Sequence, residues 1–176
     1  MYKTILCAAM LLILACAATK KSPDIDTHYA GFIQIIYRPG GFYGGANPTT
    51  SPMVTINGDG EVTRTHRSLY GGTSSQTSFV AQDRVQELAK VIIDNGFFEM
   101  DEIYDCSPGD RECEESKHHY PPSVPLELEV IIDNYEKKVI LTVYRENLVV
   151  DHPATLDTIL KAIGELVAEA MGDPRP

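Results

Sequence analysis

The chain lacks the short motifs that usually mark an enzyme: it has no G-x-S-x-G elbow, no H-E-x-x-H pair and no G-x-x-x-x-G-K-[ST] loop. Positive charge is scarce, with 15 Lys and Arg against 25 Asp and Glu. That balance argues against nucleic acid, because binding phosphate needs the opposite sign. No apolar run reaches the ~20 residues a membrane-spanning helix requires. There are only four cysteines, Cys7, Cys16, Cys106 and Cys113. No cofactor is expected from these residues, and no catalytic set stands out.

What the N-terminus does contain is an export signal. Lys3 and the α-amine precede an apolar stretch from Ile5 to Leu14, then small residues, then Lys20 and Lys21. Residues 1–15 read as a signal peptide. Ile13-Leu14-Ala15-Cys16 resembles a bacterial lipobox, with Leu14 where a small residue is usual, which would make Cys16 the lipidated first residue of the mature chain. Ala15-Cys16-Ala17 also satisfies the small-x-small rule of ordinary signal cleavage, and an uncleaved anchor is a third reading. Lipidation places the protein in the cell envelope, at the outer membrane or a periplasmic face, touching membrane only through its N-terminal lipid. Ordinary cleavage would leave it secreted.

Residues 16–27 read as a polar tether, and the rest, residues 28–172, as one domain within a mature chain of about 160 residues. GFIQIIYR ending at Pro39 suits a strand, and RPGGFYGGANPTTSP a Gly- and Pro-rich loop. Two β-rich runs flank Asn57-Gly58-Asp59-Gly60, whose Asn-Gly and Asp-Gly steps both accept the positive φ a tight hairpin requires. SLYGGTSSQTSFV fits an edge strand. Val85, Leu88, Ala89, Ile92 and Ile93 recur at helical spacing before Asn95-Gly96 stops the helix, and Phe97-Phe98 follows as a core plug. PLELEVIIDNYEKKVILTVYR gives a second hairpin with its connection at Asp133 to Glu136, and Pro153 opens an amphipathic helix. The order predicts an α+β fold, a mainly antiparallel sheet with two helices packed on one face.

The segment 104–122, YDCSPGDRECEESKHHYPP, is the richest in metal-ligand types. Cys106, Cys113, His118 and His119 are the right types for zinc, but their spacing is wrong for a compact knuckle. Asp110, Glu112 and Glu114 offer oxygen donors without the glycine of an EF-hand turn. An exported cysteine pair seven positions apart reads best as a disulfide across a solvated loop, with metal or free thiols as the alternatives. His66 and His152 read as solvated or capping histidines. The Gly-rich loop, with Gly40, Gly41, Phe42, Tyr43 and Gly44, offers aromatic area on flexible backbone and is the candidate partner-binding surface; folding back onto the sheet is its other reading.

VTINGDGEV, RVQELAKVII and NGFFEMDEIYD together resemble a bacterial domain family of unknown function found in secreted proteins and lipoproteins. YRPGGFYG, the helix before Phe97-Phe98, and the late hairpin and helix are similar to emfourin-like inhibitors of thermolysin-type metalloproteases, although this chain is longer and adds the cysteine segment. The residues lead to the expectation of a non-enzymatic domain that binds an unknown protein partner, and the second resemblance implies that this partner is an extracytoplasmic protease. A metal-assisted envelope hydrolase and a structural envelope lipoprotein are the alternatives.

Overall fold

The computed structural model describes residues 31–40, 52–67, 72–119, 124–144 and 150–173. The signal peptide, Cys16, the tether and loop residues Gly41, Phe42, Tyr43 and Gly44 lie outside the described residues. Among the described residues the fold is α+β: seven strands in one mostly antiparallel sheet, with three α-helices. The strands are β1 (Ile33–Arg38), β2 (Met53–Asn57), β3 (Glu61–Arg67), β4 (Thr73–Phe79), β5 (Ile103–Tyr104), β6 (Leu126–Ile132) and β7 (Tyr135–Leu141). The helices are α1 (Gln82–Asp94), α2 (Arg111–His119) and α3 (Ala154–Met171). Across the sheet the order is β4-β3-β2-β1-β6-β7-β5.

The period-two pattern sets the strands. In β6 the residues Leu126, Leu128, Val130 and Ile132 are buried while those between them are half-buried, and Ile33 and Ile35 repeat this in the neighbouring β1. A one-residue slip would turn all of these outward, so the β1–β6 register from Ile33·Ile132 to Arg38·Glu127 is fixed by burial. The apolar stripes of α1 and α3 join the same core, where Val85, Ile92, Leu156, Ile159 and Ile163 are fully buried.

The first hairpin turns at Asn57–Gly60, as expected, but only Gly60 takes a positive φ, +94°. Its N–H donates to Asn57 O at 2.9 Å, and its own carbonyl accepts from Val80 N–H at 3.0 Å. A Cβ there would stand 2.2 Å from Val80 O, so glycine is required twice over. The second hairpin is tighter than expected: the connection is Asp133-Asn134 alone, and β7 begins at Tyr135. Asp133 adopts φ +50°, and its carboxylate accepts from Gly31 and Phe32 N–H, holding the start of β1.

Asn95 and Gly96 stop α1 as predicted. Gly96 is left-handed, and Asn95 Nδ2 donates to Val91 O at 2.8 Å. Phe97 is fully buried, packed edge-on against Phe98 with ring centroids 5.7 Å apart. The chain then supplies β5, which the sequence pattern does not reveal. Its pairing with β7 is the one parallel ladder among the described residues.

Candidate functional site

Segment 104–122 differs from the expected solvated loop. Asp110 caps a helix there, its side chain accepting Cys113 N–H at 3.0 Å while its carbonyl accepts Glu114 N–H. Glu112 and Glu114 suit the positive end of the helix dipole. One narrow stripe of α2 is buried: Cys113 is 2% exposed and Ser116 1%, the Ser116 hydroxyl donating to Glu112 O. Cys113 is joined to Cys106 by a disulfide with Cα atoms 5.6 Å apart, which ties the first turn of α2 to the chain leaving β5. His118 and His119 end the helix, and their side chains are outside the described residues. Among the described residues no group of three or more His, Cys, Asp or Glu converges as a metal site.

A polar cluster fixes α2 against the end of the sheet. Tyr144 Oη donates to Asp105 Oδ1 at 2.7 Å, Cys106 N–H donates to the same oxygen, and Lys117 Nζ reaches Oδ2 at 3.2 Å while lying over the Tyr144 ring. Burial pushes the Asp105 carboxyl up, but the bonds from Tyr144, Cys106 and Lys117 together outweigh it and hold it below the ordinary carboxylate value. Burial and the Asp105 bond both push the Tyr144 phenol up. Every member of the cluster is satisfied, which suits a structural clasp.

At β1, β2 and β3, away from the β5–β7 edge, there is an open groove of about 420 Å³. Val54, Val167 and Ala168 give it apolar walls, Pro39 and Pro52 stand at one side, and Arg64, His66 and Asp173 bring polar groups to it. Local sequence places each of these. Gly172 ends α3 in the left-handed conformation, and Asp173 N–H then donates to Ala168 O at 3.1 Å, which fixes the Asp173 side chain near β3. Arg64 Nη2 meets Asp173 Oδ2 at 2.6 Å. Gly164 stands in the middle of α3 beside this groove, and among the described residues a Cβ built on it would meet nothing within 4 Å.

Pro39 and Pro52, which line the groove, lie close in sequence to the two ends of the segment 41–51, which is outside the described residues. Gly40 itself has a packing role: a Cβ there would lie 2.6 Å from Leu126 N and 2.9 Å from Val143 Cγ2. His66 is exposed on β3, at the groove. His152 sits ahead of α3, its Nδ1 2.8 Å from Val150 O and its Nε2 2.9 Å from Asp157. Burial pulls its pKa down, but the bonds to Asp157 and Val150 together raise it above the ordinary histidine value. Sequence reasoning missed Gly164, Arg64 and Asp173. The one available signal was a glycine inside an otherwise strong helical stripe.

No family model matches the chain, and comparison with curated proteins finds no match.

Proposed function

We propose that this chain is an extracytoplasmic domain, lipid-anchored at Cys16, that binds a protein partner and has no catalytic activity of its own. Binding takes place at the groove lined by Pro39 and Pro52. The observation that carries this reading is Gly164. A glycine inside a helix costs about 1 kcal/mol relative to alanine, yet here an alanine Cβ would meet none of the described residues within 4 Å. The space itself is therefore the useful property. It suits an apolar side chain of the partner, laid against Val54, Val167 and Ala168. Arg64, His66 and Asp173 are placed to meet the partner's backbone at the groove.

A finer architecture belongs to the same reading, with α1 and α3 covering one face of the sheet. Their shared core with the buried residues of β1, β2 and β6 supports it.

The narrower form of the proposal is inhibition of a thermolysin-type metalloprotease, which rests on the resemblance carried by YRPGGFYG and the Phe97-Phe98 pair. Purified protein should slow such a protease at near-stoichiometric concentration without being cut. No inhibition across several such enzymes would remove this form and leave the broader one standing. For the broader form, a Phe42→Ala, Tyr43→Ala double variant should lose crosslinked partners from an envelope fraction. Retention of every partner would exclude the loop, while the groove is tested separately through Gly164.

A further inference from the structure

β4 is an edge strand, and among the described residues its outer side has no strand partner. Its seven residues, TSSQTSF, are exposed except for half-buried Ser78, and Phe79 is 68% exposed. Proteins usually blunt such an edge with lysine, proline or a bulge, because its free N–H and C=O groups template pairing. β4 has none of these devices. It carries no charge in a chain where 23% of residues are charged, and its ladder with β3 runs unbroken from Arg67·Thr73 to Glu61·Phe79. The opposite edge is treated differently, since β5 is only two residues long.

The ladder shows which backbone groups are free. Val80 N–H donates to Gly60 O at 3.0 Å, so the residues of its parity, Ser74, Gln76 and Ser78, direct their backbone groups to β3. Thr73, Ser75, Thr77 and Phe79 therefore turn theirs outward. The strand is also nearly symmetric about Gln76, with Ser75 answering Thr77 and Ser74 answering Ser78.

We propose that two copies of this chain pair antiparallel along β4, on a two-fold axis at Gln76, so that one sheet runs through both. In this register Ser75 faces Thr77 of the second copy and Thr73 faces Phe79, each pair formed by residues whose backbone groups point outward. A one-residue shift would set outward groups against inward ones and lose the bonds. The uncharged strand also lets two copies of net charge −10 meet where repulsion is least. An edge contact buries less area than a standard interface, so the dimer is weak and concentration-dependent.

Sedimentation of the purified protein from low micromolar to near-millimolar concentration tests this. Wild type should pass from monomer to dimer. Ser75→Pro removes an N–H that β3 does not use, so it should abolish the dimer while its thermal unfolding stays close to wild type. Gln76→Lys and Gln76→Glu each place like charges opposite one another at the axis. Each should be monomeric alone, and an equimolar mixture should restore the dimer. The proposal is overturned by a wild type that stays monomeric, including one whose β4 instead takes up another protein's strand. A dimer that survives Ser75→Pro overturns it too. If Ser75→Pro fails to fold, the charge pair decides: variants that do not complement each other would place any dimer contact elsewhere.

Discussion

Arg64 on β3 reaches across to Asp173, just beyond the glycine that ends α3, and their side chains meet at 2.6 Å beside the groove. Both partners are part-exposed, and such a pair contributes at most about 1 kcal/mol. Its stronger effect is positional, since it sets two polar groups where a partner would enter. Arg64→Met should therefore leave the unfolding midpoint within a few degrees of wild type while weakening partner recovery. A large loss of stability would mean that the pair is chiefly structural.

The disulfide should matter more. Closing so short a loop stabilises the fold by about 2 to 3 kcal/mol on the chain-entropy estimate. A Cys106→Ser, Cys113→Ser variant should lose that amount in denaturant unfolding, and reductant should have little further effect on it. Because Cys113 is buried on α2, amide exchange should rise first in Arg111–His119. Equal exchange there in both proteins would contradict the assignment of the staple to this helix.

Asp105 makes the same region sensitive to acid. Its folded pKa lies below the unfolded value of about 3.9, so its contribution is present above that value and disappears as pH falls through the folded pKa. The stability gap between wild type and Asp105→Asn should be full near neutrality and close below about pH 3.9. A gap that persists in strong acid would show that the carboxylate charge is not what holds Tyr144 and Lys117.

His152 has the opposite sign. Its folded pKa is raised above the unfolded value of about 6.5, so its stabilisation is complete below that value and is lost as pH rises through the folded pKa. His152→Gln should be destabilised relative to wild type at mildly acidic pH and approach it at mildly alkaline pH. A gap independent of pH would assign the loss to packing alone.

Much of the fold was legible because burial imposes regular periods. Leu126 to Ile132 alternate without a break, α3 carries a strong apolar stripe, and Asn95-Gly96 has the residue types of a helix stop. α2 was not legible, because among its described side chains it buries only Cys113 and Ser116 and so shows no apolar period. β5 is too short for any pattern, and its place beside β7 is set by tertiary pairing. The groove was hidden for a different reason. Arg64, Gly164 and Asp173 are far apart in sequence and read separately as a surface charge, a weak helix position and a chain end. Only the packing of α3 near β3 brings them together.

The most direct test of groove binding fills the space beside Gly164. Leucine favours a helix over glycine by most of ~1 kcal/mol, and its Cβ would touch none of the described residues, so Gly164→Leu should fold at least as well as wild type. In crosslinking from an envelope fraction followed by quantitative mass spectrometry, at least one wild-type partner should fall about tenfold or more, the effect of losing roughly 1.4 kcal/mol. Undiminished recovery of every partner by a well-folded Gly164→Leu would contradict binding at this groove.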